Sequence, residues 1–197
     1  MKRNIVFIQS VSEKEWEIGE IQNEEINHNP NYFDCKSNVY YIKTFEDLRD
    51  LLTSISDNNR DTLMIIQIDA HSDPEGLAFR DVNNSDKDEC NDYVKWSEFN
   101  DILVHLYNTL GANITLIFIS CYSSVFAESI KSPHISIIAA EGEIAPRRAG
   151  EHLNKFYDKI CKGKSVEEAF NFMMDLFPLE EEFKRNINDR AILKLYM

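Results

Sequence analysis

Cys121 and His71 are the residues of this sequence best placed for covalent chemistry, a thiol and an imidazole fifty positions apart. Each follows an apolar run that reads as a buried parallel strand. His71 follows Leu63-Met64-Ile65-Ile66-Gln67-Ile68-Asp69-Ala70, and Cys121 follows Ile114-Thr115-Leu116-Ile117-Phe118-Ile119-Ser120. Open parallel sheets place their chemistry at the carboxyl ends of the strands. An imidazole beside a thiol there forms the nucleophile–base pair of acyl transfer. The backbone amides of Ser72 and Cys121 could then face one oxyanion.

Cys121 also precedes a short expected helix, capped by Ser123 or Ser124, whose amino end favours an anion. The other cysteines are less suited. Cys90 lies among Asp86, Asp88, Glu89 and Asp92, poor surroundings for a thiolate, while Cys35 falls in an unpatterned loop and Cys161 closes a helix. Among the histidines, His28 and His134 fall in loops, His105 lies off the apolar stripe of its helix and His152 sits on another helix. On residue types alone, a buried structural cysteine and a satisfied strand-end histidine stay open as alternatives.

The elements that must position this pair alternate strand and helix. Ile5–Gln9 reads as a first strand and Val39–Ile42 as a second. Residues 11–33 are polar, with Asn29-Pro30, and read as loop with at most a short helical piece. Thr44 and Asp47 form a loose capping box for a helix carrying Leu48, Leu51, Leu52 and Ile55. After the histidine strand comes an acidic insert, Asp81–Asp92, and then a helix over Trp96–Leu110 that Gly111 stops. Ile135–Ala139 is a further strand, and helices follow from about Arg148 to Ile160 and from Ser165, whose capping partner is Glu168. Ile192–Leu195 is a last strand. This alternation predicts one α/β domain over residues 1–197, a mostly parallel sheet of about six strands with helices on both faces.

Bulk composition narrows the function. The chain has 197 residues, 43% hydrophobic and 28% charged, which suits a globular protein with a sizeable core. A net charge of −13 without a basic cluster argues against nucleic acid as a partner. No apolar run approaches the roughly 20 residues of a membrane span, and the amino terminus lacks the pattern of a signal peptide. Four scattered cysteines without Cys-x-x-Cys predict neither a disulfide framework nor a zinc site and fit a reducing, cytoplasmic compartment.

Three blocks carry a family resemblance. Ile68-Asp69-Ala70-His71-Ser72-Asp73-Pro74-Glu75-Gly76-Leu77 resembles the histidine block of CHAT-type, caspase-like cysteine peptidases, and Ile117-Phe118-Ile119-Ser120-Cys121-Tyr122-Ser123-Ser124 resembles their cysteine block. Phe156-Tyr157 and Gly163–Phe170 are similar to the closing helices, and the fifty-residue interval is the one known from caspases. The resemblance implies a caspase-hemoglobinase fold, a His71–Cys121 dyad and peptide-bond hydrolysis without metal or other cofactor. It also implies a protein substrate and a regulatory protein partner. The chain departs from the pattern in having Ser72 where the family usually has glycine, and it lacks the caspase pentapeptide around the cysteine. Glu141 and Glu143, which follow the apolar strand that ends at Ala140, are candidates to bind an arginine or lysine before the scissile bond. Arg147 and Arg148 are candidates for an acidic one.

Other readings stay open. Asp69-Ala70-His71-Ser72-Asp73 also resembles the manganese-ligand block of arginase-like ureohydrolases, although the further carboxylate blocks of a binuclear site are missing. Asp81, Asn83, Ser85 and Asp92 stand at calcium-loop offsets, with Asp86 where the turn needs glycine. A third reading is a catalytically silent caspase-like binding module.

Overall fold

The structure, a computed structural model, describes residues 2–11, 17–32, 34–56, 62–80, 90, 92–110, 113–130, 135–176 and 193–197. Its centre is a twisted sheet. β1 (Arg3–Ser10), β2 (Cys35–Tyr41), β3 (Leu63–Ser72), β6 (Ile114–Ile119), β7 (Ile135–Ala140) and β8 (Leu193–Tyr196) stand in the order β2-β1-β3-β6-β7-β8. The first five pair in parallel, and β8 closes the edge antiparallel to β7. β4 (Gly76–Phe79) and β5 (Asp92–Lys95) form a small antiparallel extension from the end of β3. The sheet and its covering helices thus match the expected α/β architecture.

Both faces are covered, so the central strands are buried except at their ends. On one face Ile66, Ile68, Leu116 and Phe118 meet α2 (Phe45–Ser56), α3 (Trp96–Leu110) and α4 (Ser124–Ser129) through Leu48, Phe99 and Phe126. On the other, Ile65, Ile117 and Ile138 meet α1 (Glu17–His28), α5 (Pro146–Cys161) and α6 (Val166–Leu176) through Ile26, Leu153, Phe156 and Ala169. Each such side chain stabilises the fold by about 1.5–3 kcal/mol on transfer from water. Both expected capping boxes form. Thr44 and Asp47 exchange bonds of 2.9 and 3.1 Å, and Ser165 and Glu168 exchange bonds of 3.0 and 3.1 Å.

Two expectations are corrected. The segment read as loop with a short helical piece is largely the twelve-residue helix α1. Its inward stripe is Ile18, Gln22 and Ile26, and the buried glutamine in the middle hides the apolar periodicity. The cysteines are not all free, because Cys35 and Cys161 form a buried disulfide with Cα atoms 5.5 Å apart. One opens β2 and the other closes α5, a proximity that linear spacing conceals. The inference of a reducing compartment therefore loses its premise for these two residues. Among the described residues, no helix is long and apolar enough to cross a membrane.

Candidate active site

The sheet delivers the two candidate side chains to the same end, at the carboxyl ends of neighbouring strands. Gln9 of β1 pairs with Asp69 of β3, and Asp69 pairs with Ile119 of β6. Residues two apart on a strand share a face, so His71 follows Asp69 on the side of α1 and α5, while Cys121 stands two residues past Ile119, beyond the end of β6. Neighbouring strands lie about 4.8 Å apart. Both residues are partly exposed and line one cavity of about 130 Å³ at the carboxyl end of the sheet. Val11, Ile18, Ile119, Ile144 and Pro146 form its apolar walls, and Asp69 lies one row deeper.

Local bonds fix the chain around each. Beyond His71, the Ser72 hydroxyl donates to the carbonyl of Cys121, tying the two strand ends together. Asp73 then accepts from the amides of Glu75 at 2.7 Å and Gly76 at 3.0 Å, an Asx-type turn that starts β4. The Trp96 indole donates to the Asp73 carbonyl at 3.2 Å, anchoring this turn to α3. Beyond Cys121, Tyr122 adopts φ 55°, the left-handed region that bulky residues rarely enter, and its amide donates to Gly142 at 3.0 Å. The Ile144 amide donates to Cys121 Sγ at 3.5 Å and orients the sulfur.

The helix expected to support the sulfur contributes little. α4 has six residues and starts at Ser124, and Ser123 makes no side-chain cap. The Ser123 hydroxyl instead donates to Ser120 O at 3.0 Å and accepts from the Ala140 amide at 3.0 Å, clamping β6 to β7.

Below His71 and Cys121 lies a chain of buried polar groups. Asp69 accepts from Gln67 Nε2 at 2.9 and 3.2 Å and from Gln9 Nε2 at 3.3 Å. Gln67 also donates to Gln22 Oε1 of α1 at 3.2 Å and accepts from the Tyr157 hydroxyl of α5 at 2.6 Å. Gln22 in turn donates to the Gly150 carbonyl at 3.2 Å. Burial pushes the Asp69 carboxyl up to about 7, against the lowering effect of the Gln67 and Gln9 amides. α1 lies directly on this row, since a Cβ at Gly19 would stand 2.0 Å from Gln9 Nε2 and 3.5 Å from Asp69 Oδ2.

The remaining candidates lie apart. Glu141 is ion-paired with Lys194 of β8, Glu143 is exposed, and neither lines the cavity. Arg148 is half-buried on α5, and the side chain of Arg147 lies outside the described residues. Of the arginase-like string, Asp69 is deep beneath α1, whereas Asp73 is spent on its own turn and on the Tyr93 hydroxyl at 2.9 Å. Among the described residues, no three His, Cys, Asp or Glu side chains gather as metal ligands. The calcium-like offsets fall outside the described residues except Asp92, which accepts from the amides of Phe45 at 2.8 Å and Tyr93 at 2.9 Å. His134 is also outside them.

Sequence reasoning singled out His71 and Cys121, which line one cavity, and missed the polar row below them as a unit. The signal was present. Gln67, Asp69 and His71 occupy alternate positions of an otherwise apolar run and so share one face. The backbone donor at Ile144 carries no sequence signal.

No family model and no curated protein matches the chain. Among solved structures, the crystal structure of drICE, a caspase, is similar over 98% of this chain and 86% of its own, with a TM-score of 0.56 and 10% sequence identity. At that identity the likeness concerns the fold, and the chain has a caspase-like one.

Proposed function

We propose that this protein is a cysteine endopeptidase related to the CHAT-type peptidases, with Cys121 as nucleophile and His71 as general base and acid. The observation that carries the reading is that both line one cavity at the carboxyl end of the sheet. In this reaction His71 takes the Sγ proton and the sulfur bonds to the scissile carbonyl carbon. The oxyanion is met by the amides of Ser72 and Cys121. Collapse expels the amine, which takes the proton held by His71. Water, giving a proton to His71, then attacks the thioester; the carboxylic acid leaves and the thiol is restored. A regulatory protein partner belongs to the same reading.

Peptide-library cleavage tests it. Wild type is expected to cut a subset of peptides, and Cys121→Ala and His71→Ala are each expected to fall to background. Iodoacetamide labelling followed by mass mapping gives a second measure, on a Cys90→Ser background because Cys90 is exposed and free. Labelling of Cys121 is expected to slow sharply in His71→Ala. Full cleavage by either alanine variant would sink the proposal.

A further inference from the structure

We propose that the cavity below His71 and Cys121 receives a lysine or arginine side chain immediately before the scissile bond, with the Asp69 carboxylate as its counter-charge. The inference rests on the peptidase reading for the identity of the ligand, and on the following geometry for its charge.

Depth fits first. With the scissile carbonyl at Cys121 Sγ, a side chain entering the cavity passes from the level of His71 and Cys121 to that of Asp69. Two strand residues span about 7 Å, the reach of an extended lysine or arginine. The walls fit next. Val11, Ile18, Ile119, Ile144 and Pro146 are apolar and suit an aliphatic stem that ends in charge. The floor decides the sign. Asp69 is buried and, among the described residues, is held by the amides of Gln9 and Gln67 with no cationic side chain paired to it. A carboxylate desolvated without a counter-charge is costly, and an arriving cation removes that cost with charge-assisted hydrogen bonds. Glu141 and Glu143 cannot serve this role from their places. The first is committed to Lys194, and both lie off the cavity.

The amide groups explain how the floor is kept in shape. Gln67 is gripped by Tyr157 and Gln22, so the carboxylate above it has a fixed orientation before any ligand arrives. Gly19 lets α1 close over the row without a side chain occupying the space.

Two measurements separate this inference from the peptidase reading. The first needs no turnover. Alkylation of Cys121 by iodoacetamide is followed in Cys90→Ser protein with n-pentylamine or the neutral 1-pentanol present. Pentylamine is expected to slow labelling several-fold and pentanol not to, and Asp69→Asn is expected to abolish the difference. The second compares peptides with lysine or the neutral isostere norleucine before the cleaved bond. The preference for lysine in kcat/KM is expected to be about 10- to 100-fold and to collapse toward one in Asp69→Asn. Equal effects of amine and alcohol would overturn the inference even if peptides are cut. Loss of turnover on lysine and norleucine peptides alike, with amine protection retained in Asp69→Asn, would also overturn it and make Asp69 a residue that positions His71. Amine protection without cleavage of any peptide would instead overturn the peptidase reading and leave the cation pocket standing.

Discussion

β3 presents two faces from one ten-residue strand, and they are built on opposite terms. Met64, Ile66, Ile68 and Ala70 point toward α2 and α3, into a cluster of buried apolar side chains. There Trp96 stacks on Phe126 with centroids 5.1 Å apart, and Phe99 and Phe118 meet Phe126 edge-on at 5.1 and 5.5 Å. Ile65, Gln67, Asp69 and His71 point the other way, toward α1 and α5. That face trades apolar contact for a chain of amides, a hydroxyl and a carboxyl. The first face supplies cohesion at little cost in desolvation. The second accepts such a cost to hold a polar floor beneath His71 and Cys121. It is also the face that carries the disulfide, between β2 and α5.

The largest expected effect tests whether that covalent link offsets the polar row. Replacing Cys35 and Cys161 together by alanine frees a loop spanning 126 positions, and loop-closure entropy predicts a loss of about 4–5 kcal/mol. Urea denaturation of the double variant measures it. A loss below about 1 kcal/mol would show that the polar face is self-sufficient, against the range usual for native disulfides. On the opposite face, Phe118→Ala is expected to cost about 3–5 kcal/mol, because three aromatic rings lose a common neighbour. Below its melting range, this variant is expected to keep the iodoacetamide reactivity of Cys121, since Phe118 and the cavity lie on opposite sides of the sheet. Impaired reactivity in the cold would break the division of labour between the faces.

Asp69→Asn sharpens the comparison with the opposite sign. Burial lifts the carboxyl from 3.8 to about 7, so between those values the folded protein binds more protons than the unfolded chain. Stability must then fall as pH rises through that window and level off above it. The shift corresponds to at most ~4 kcal/mol of penalty at pH 8. The other groups facing Asp69 are Gln9 of β1, Gln67 of its own strand and, through Gln67, Tyr157 of α5 and Gln22 of α1; His71 and Cys121 share its cavity. Melting curves are expected to show Asp69→Asn more stable than wild type at pH 8, with the difference vanishing near pH 4. A variant less stable at every pH would mean that Asp69 contributes to folding rather than burdening it.

How much of this was legible in the sequence follows the same division. The aromatic face was readable, because Phe99, Ile102, Leu103 and Leu106 recur at helical spacing and the strands are continuous apolar runs. His71 and Cys121 were readable as two strand ends, and the fold adds that both line one cavity. The polar face was read poorly at each of its contributors. α1 was hidden by Gln22, whose burial depends on Gln67 and Gly150 far along the chain. Asp69 was visible only as part of a metal-like string, since its isolation from cations is a property of packing. Cys35 and Cys161 meet through tertiary structure alone. Local pattern reports apolar burial well, and it is nearly silent where a buried group is satisfied by partners 45 to 128 positions away.

The smallest expected effect asks whether the polar face behaves as one unit. Tyr157→Phe removes a single oxygen and leaves the ring, which packs edge-on against Phe7 at 5.4 Å and Phe156 at 5.4 Å. The loss is then confined to the bond to Gln67 Oε1, and an unsatisfied buried acceptor costs about 1–3 kcal/mol. With its carbonyl released, Gln67 is free to turn its amide away from Asp69, so the carboxyl loses its nearest donors as well. If the groups act together, the cost of Tyr157→Phe depends on what stands at position 69. With Asp69 present the variant exposes a charge to a worse environment, and in the Asp69→Asn background it does not. A double-mutant cycle at pH 8 is therefore expected to give a coupling above about 0.5 kcal/mol, with the hydroxyl worth more when the carboxylate is there. Additive costs would mean that Tyr157 merely fills space, and that Gln9 and the near approach of α1 suffice to hold the floor.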